Sequence, residues 1–384
     1  MKRVRPNRAQ SCQRDSVRAA DADMDCLARE VEHALLNHLD ELAVGASSTS
    51  DPTGVVAGIR ALLQTGGKRI RPVLFLLAYR GYAPEADGAS STRFALAFEW
   101  LHSFALLHDD LIDGASVRRG HPVLSRWFAA RLPAHTPDPE KVGRDLALLT
   151  GDVLHTLAFE AASSMPHPPP GWRAAFRELL STAMQTGAGV HREVRLRQTP
   201  ILSIERDFIL DIYDRKTVRY SFACPLRCAA LLADRSPPEL ERLKALARCL
   251  GIAYQILDDV ADLSAFLAGR PESTGMRLSE TKLMLPLHDA VRNACPNNRA
   301  WIDELYTADE ATPADRQRLA ELVTRADAFS ACRAEAQAHL RQAEAWIESL
   351  SLPGETKRAL HDLAARFAQS TRAPVLPRQP EATA

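Results

Sequence analysis

The chain carries no excess of charge of either sign: 48 Lys and Arg offset 48 Asp and Glu among 384 residues. No global field draws it to nucleic acid or to a membrane surface, so any charge that matters must act locally. No stretch approaches the ~18 uninterrupted apolar residues of a membrane-spanning helix. Residues 1–22 are Arg-rich and lack the apolar core of a secretory signal. They read as a disordered extension, or as sequence upstream of a start at Met24, ahead of a transit peptide. The seven cysteines, Cys12, Cys26, Cys224, Cys228, Cys249, Cys295 and Cys332, are odd in number and include no CxxC pair. Cys224 and Cys228 lie one helical turn apart, but no second His or Cys pair completes a zinc site. Free buried thiols in a reducing, cytoplasmic setting are therefore expected. A nucleophile–base pair is not evident. Nor is the apolar–polar alternation of a half-buried strand.

What the chain has in quantity is Ala, Leu and Arg, all helix-forming choices, with 18 glycines. Apolar residues recur at three- and four-residue spacing through 24–43, 88–110, 143–162, 203–232, 239–267 and 329–349. Breakers separate these stretches at residues 47–52, 133–139, 166–170 and at Pro237-Pro238. The pattern predicts an all-α bundle with short loops, forming one domain over 23–370. The tail 371–384, with Pro374, Pro377 and Pro380, reads as disordered. No repeat of fixed period is present.

Two acidic clusters stand out. In EWLHSFALLHDDLIDGASVRRGHP, Asp109, Asp110 and Asp113 fall near the C-terminal end of an apolar helix. Asp109 and Asp113 are four residues apart and share a face, where like charges repel. The C-terminal end of a helix also disfavours anions. Something positive must compensate, and hard divalent cations with oxygen ligands fit best. In LARCLGIAYQILDDVADL the pattern returns as Asp258, Asp259 and Asp262. Its flanks are too apolar for a surface helix, so these carboxylates are expected to face a cavity. One such cluster alone reads as a solvated helix end. Two of them can face each other across a bundle.

Cations are concentrated as well. GGKRIRP places Lys68, Arg69 and Arg71 behind two glycines at a loop-to-helix junction, where backbone N–H groups and the helix start favour an anion. Arg118 and Arg119 follow the first cluster, and Lys216 and Thr217 lie in DRKTVRYSF. Beside two metal-binding faces these side chains suit a diphosphate, since Arg and Lys pair well with phosphate oxygens.

The series GGKRIRP, LHSFALLHDDLID, RRGHP, GDVL at 151–154, KT at 216–217 and YQILDDVAD resembles the trans-isoprenyl diphosphate synthases, the polyprenyl synthetase family. The resemblance runs over 66–286, and the helical pattern extends it to about residue 370. It implies an isoprenoid-synthase helical bundle with the two Asp motifs facing a central cavity. It also implies homodimers in most members, small-molecule diphosphate substrates, and magnesium as cofactor, three ions per active site. Carried over residue by residue, Asp109, Asp113 and Asp258 become principal metal ligands, with Asp110, Asp259 and Asp262 as ligands or their immediate support. Lys68, Arg71, His102 and Arg119 become the isopentenyl diphosphate site. Arg118, Lys216, Thr217, Gln255 and Lys282 become the allylic diphosphate site. Lys216, Thr217 and Gln255 are the implied catalytic group, steadying the leaving diphosphate and the carbocation. The residues four and five before the first Asp, Ala105 and Phe104, line the channel for the growing tail. A single aromatic there, with no insertion in the Asp motif, resembles short-chain synthases making geranylgeranyl diphosphate, with farnesyl diphosphate next.

The sequence departs from the family pattern in two places. GVHREV puts Val190 and Glu193 where a Gln and an Asp are usual. RPESTGMRLSETK retains Lys282, but Glu272 or Ser273 stands where a diphosphate Lys is usual and Arg277 where an Asp is usual. Arg270 or Arg277 is the available substitute cation. Three functions compete: a short-chain elongase, a terpene cyclase on the same scaffold, and a non-catalytic partner subunit. GGKRIRP and RRGHP favour the elongase, because a cyclase needs no isopentenyl diphosphate site. Intact Asp motifs disfavour the partner subunit.

Overall fold

The apolar periodicity is realised as helix almost throughout. The structure, a computed structural model, describes residues 8–45, 54–197, 199–270, 283–306 and 311–370. Helices α1 (Arg8–Gly45), α2 (Val55–Gln64), α3 (Ile70–Tyr82) and α4 (Gly88–Asp113) come first. A hairpin follows, β1 (Val117–Arg118) and β2 (His121–Pro122), with Val117 opposite Pro122. Next are α5 (Leu124–Ala129), α6 (Pro139–Ser163) and α7 (Trp172–Leu196). A 3₁₀ turn at Ile201–Ser203 leads into one continuous run: α8 (Arg206–Tyr213), a π-helical segment (Asp214–Ala223) and α9 (Cys224–Leu232). Then come α10 (Pro237–Leu267), α11 (Leu285–Arg292), α12 (Pro296–Leu305), α13 (Pro313–Arg325), α14 (Ala328–Ser349) and α15 (Gly354–Ser370).

The all-α reading holds, and the six periodic stretches coincide with α1, α4, α6, the α8–α9 run, α10 and α14. Helix α7 was not among the periodic stretches, although Ala175, Leu179 and Thr182 are buried along one face of it. Of the residues expected as an N-terminal extension, those from Arg8 onward belong to α1. The expected tail, 371–384, lies outside the described residues. Among the described residues no helix is long and apolar enough to cross a membrane. Cys224, Cys228, Cys249 and Cys332 are buried thiols as expected, whereas Cys26 and Cys295 are exposed. Cys295 caps the surface start of α12, just before Pro296.

Local signals set the helix ends. Asp87 accepts the N–H groups of Ala89 (3.2 Å) and Ser90 (3.0 Å) at the start of α4. Asp138 does the same for Lys141 (3.0 Å) at α6, where Pro139 begins the helix. The core around α3 and α4 is aromatic. Phe75 lies 5.3 Å from both Phe94 and Phe98, centroid to centroid, and Trp100 is fully buried.

Two glycines allow close approaches between elements that carry the acidic clusters. A Cβ at Gly151 on α6 would collide with the imidazole of His108 on α4. A Cβ at Gly251 on α10 would sit 2.9 Å from the Cα of Val218 in the π segment. The second contact brings Thr217 and Gln255 within hydrogen-bonding reach, the Thr217 hydroxyl donating to Gln255 Oε1 at 2.6 Å.

Candidate active site

Asp109, Asp110 and Asp113 occupy the last turn of α4, as the periodicity predicts. Asp109 and Asp113 share a face. Asp110 turns away and is 4% exposed, with Arg118 Nε donating to it at 2.6 Å. The second cluster divides the same way along α10. Water reaches Asp258 and Asp262, while Asp259 is 5% exposed. Asp259 accepts from Gln255 Nε2 (2.9 Å), from the Leu285 N–H (3.0 Å) and from the Tyr213 hydroxyl. Both middle carboxylates are therefore engaged by protein donors.

Two cations show that the clusters face one space. Lys216 Nζ is 3.6 Å from Asp109 Oδ1, and its charge acts on Asp113 and Asp258 as well. Arg118 pairs with Asp110, lies 3.5 Å from Asp109, and acts on Asp262. Lys216 and Thr217 lie in the π segment, an irregularity often found at functional sites. Arg118 projects from the hairpin, whose turn residues Arg119 and Gly120 have φ of 52° and 78°. The left-handed conformation at Arg119 disfavours a side chain with a Cβ, and it is the geometry that a tight two-residue hairpin demands.

The carboxylates show the strain of this crowding. Burial raises the Asp110 carboxyl above its usual range, with Arg118 opposing. Burial and then Asp109 raise Asp113, with Arg197 opposing. Burial raises Asp258, against Lys216, Lys68 and Arg71. Asp262 is pushed up to about 7 by burial and by Asp258. Water nevertheless reaches the side chains of these last two. Burial works to lower the Lys216 ammonium, but Glu193, Asp109 and Asp113 outweigh it and keep it charged.

A second basic group flanks the first. His102 Nδ1 is 2.6 Å from the Tyr220 hydroxyl, and the Arg71 guanidinium lies 4.4 Å above the Tyr220 ring. Burial, then Arg71 and Arg119, hold the His102 imidazole well below its ordinary pKa and therefore neutral. Arg119 donates to the carbonyl of Gly66, so the hairpin closes against the Gly66-Gly67 loop. Lys68 is exposed at that loop. Arg71 Nε is buried and has no hydrogen-bond partner among the described residues. Arg69 departs from the cation-cluster reading. It is buried, pairs with Glu99 at 2.6 Å, and donates to the Leu63 carbonyl at 3.2 Å. It ties α3 to α4 and does not face the site.

The structure thus brings together Asp109, Asp113, Asp258, Asp262, Arg118, Lys216, Thr217 and Gln255, with Lys68, Arg71, His102 and Arg119 alongside. Lys282, Glu272, Ser273 and Arg277 lie outside the described residues. Arg270 closes the end of α10, donating to Ser264 Oγ at 3.3 Å. Glu193, one of the two departures on α7, belongs to the site, with a carboxylate oxygen 2.8 Å from Lys216 Nζ. Arg197, one turn on, pairs with Asp113 at 2.7 Å. Sequence reasoning missed Arg197, Tyr213 and Tyr220. Arg197 lies four residues after Glu193 and so shares its helical face, a signal that was available. Ala105 stands one turn before Asp109 on the same face. Phe104 is rotated toward α6, its ring 4.5 Å from His108 and 4.7 Å from His155.

The donor set suits a hard divalent cation. Its oxygens are carboxylates whose charge burial and mutual repulsion oppose, and Lys216, Arg118 and Arg197 now share the neutralisation. Among the described residues no three acidic, His or Cys groups converge on one point.

The model of the polyprenyl synthetase family matches residues 55–323. A short chain isoprenyl diphosphate synthase of Methanothermobacter thermautotrophicus is 27% identical over 333 residues, 85% of this chain and 92% of its own. An octaprenyl diphosphate synthase of Escherichia coli is 29% identical over 242 residues, 63% of this chain and 67% of its own. Among solved structures, a geranylgeranyl pyrophosphate synthase of Corynebacterium glutamicum, complexed with isoprenyl diphosphate and magnesium, superposes with a TM-score of 0.81. At 23% identity it covers 90% of this chain and 99% of its own, and establishes the shared fold.

Proposed function

Because this chain belongs to the polyprenyl synthetase family, we propose that it condenses isopentenyl diphosphate with an allylic diphosphate to a short all-trans prenyl diphosphate. Geranylgeranyl diphosphate is the proposed product, with farnesyl diphosphate next. One observation carries the reading: Lys216 and Arg118 each act on both Asp clusters. Two acidic walls and two shared cations make a space suited to a metal-bound diphosphate. Asp109, Asp113, Asp258 and Asp262 would hold magnesium, which neutralises charge on the leaving diphosphate; three ions is the proposed number.

The residues then divide the work. Lys216 and Arg118 hold oxygens of the allylic diphosphate as its C–O bond breaks, so negative charge develops against fixed donors. Lys68, Arg71 and Arg119 hold the second diphosphate, and Arg71 Nε offers it a buried donor. The isopentenyl double bond attacks the allylic carbon, forming the new C–C bond. A proton leaves the adjacent carbon for the released diphosphate. The hydroxyl of Thr217 and the carbonyl of Gln255 stand beside Lys216 to steady the cation between these events.

The short product rests on the aromatic layer below the first cluster. An isoprene unit is about one helical turn long, ~5.4 Å. Phe104 lies just over a turn before Asp109, wedged by His108 and His155, and the buried Trp100 and Leu101 lie a turn further. The reading includes a homodimer, for which the exposed Leu148, Leu149 and Val153 of α6 offer an apolar face. Incubating the purified chain with magnesium, isopentenyl diphosphate and dimethylallyl, geranyl or farnesyl diphosphate tests the function. Linear C15 or C20 diphosphates are expected. Cyclic hydrocarbons, or no product from any primer, would overturn the reading.

A further inference from the structure

The carboxyl of Asp259 accepts three hydrogen bonds from within the protein. One oxygen accepts Gln255 Nε2 at 2.9 Å. The other accepts the Tyr213 hydroxyl and the backbone N–H of Leu285 at 3.0 Å. The Leu285 N–H also lies 3.2 Å from the Tyr213 oxygen, so the three groups form a closed triangle. Asp259 is 5% exposed and Tyr213 is 5% exposed. A carboxylate with three donors and almost no surface has little capacity left for a cation.

The three partners come from three elements. Asp259 belongs to α10, between Asp258 and Asp262. Tyr213 ends α8, three residues before Lys216. Leu285 is the first residue of α11, so the Asp259 carboxyl also accepts one of the free N–H groups at that helix start. From Asp259 the hydrogen bonds continue through Gln255 to Thr217. The chain Tyr213–Asp259–Gln255–Thr217 therefore starts at the residue just before the π segment and returns inside it four residues on. It fixes the turn that carries Lys216 against the helix that carries Asp258 and Asp262. A π-helical turn is intrinsically less favourable than α-helix and needs such external fixing.

We propose that Tyr213 and Asp259 form a positioning latch, and that Asp259 acts through it and not as a metal ligand. Its task is to hold Lys216 and Thr217 in register with the carboxylates of α10. The inference rests on the diphosphate reading of the site. It predicts that Tyr213→Phe and Asp259→Asn damage the same property by the same amount. Each leaves magnesium binding in the absence of diphosphate unchanged within twofold, because neither touches the ligand face. Each weakens inorganic diphosphate, titrated calorimetrically in excess magnesium, by about tenfold, because Lys216 is no longer held. The double variant is no worse than either single one, because both break one network.

Thermal unfolding of the three variants shows whether the fold persists. Should Asp259→Asn unfold, Tyr213→Phe, which removes a single oxygen, carries the test alone. A further arm replaces Asp262 by Asn, which must weaken magnesium strongly and so calibrates a true ligand. The latch is overturned if Asp259→Asn weakens magnesium as Asp262→Asn does while Tyr213→Phe does not. It is equally overturned if the two diphosphate losses add, or if Tyr213→Phe leaves diphosphate binding unchanged. Failure of the functional reading looks different: the wild-type chain would itself bind no diphosphate with magnesium.

Discussion

Asp262→Asn at pH 8 tests the electrostatic reasoning most directly. In the metal-free protein Asp262 is pushed up to about 7 by burial and by Asp258, from an ordinary 3.8. A folded-state value above the unfolded one means that the folded protein holds the proton more tightly. Stability from this group is then present at low pH and is lost as pH rises from ~4 through ~7. Each pH unit of displacement is worth ~1.4 kcal/mol, so a group cut off from water would lose ~4 kcal/mol. Water reaches Asp262, and screening reduces the loss to roughly 1–2 kcal/mol. Replacing the carboxylate by a neutral amide removes that loss. The metal-free variant should therefore be more stable than wild type at pH 8, unfolding roughly 1–3 °C higher at this chain length. At pH 5, only partway into that window, the difference should be smaller. Magnesium with inorganic diphosphate should reverse the order at pH 8, stabilising wild type well above the variant. Scanning fluorimetry in chelator, then in magnesium and diphosphate, at the two pH values reads all four states. The reasoning is refuted if the variant melts below wild type in chelator at pH 8, or if magnesium raises both equally.

Lys216→Ala should lower kcat about 10²–10³-fold, the usual cost of removing one fixed donor to developing charge, and steady-state kinetics with an allylic primer would expose a smaller effect. Phe104→Ala should lengthen the product by opening the layer closed by His108 and His155; an unchanged product spectrum would defeat that reading of chain length. Gly151→Ala should destabilise the fold by ~1–3 kcal/mol, because the added methyl collides with His108, and denaturant unfolding would show it.

The sequence determined the class of fold and the residues of the candidate site that helical period groups together. Apolar spacing is a property of the chain itself, so α1, α4, α6, α10 and α14 were legible as helices. The pairing of Asp109 with Asp113 and of Asp258 with Asp262 follows from helical period alone, as does their disagreement with local electrostatics. Tertiary structure decided what each neighbouring charge does. Asp110 and Asp259 stand beside Asp109 and Asp258 in sequence, yet a rotation of ~100° per residue turns them towards donors of the protein, Arg118 and the Leu285 N–H. Arg69 sits between Lys68 and Arg71, yet the left-handed conformation at its own position sends it inward to Glu99. Glu193 read only as a departure, and Arg197 was not read at all, until the packing of α7 beside the π segment set them on Lys216 and Asp113. Periodicity states which residues share a face of one helix. Which face meets which, across elements far apart in the chain, is fixed by packing such as the Gly251–Val218 approach, and that information is not local to any motif.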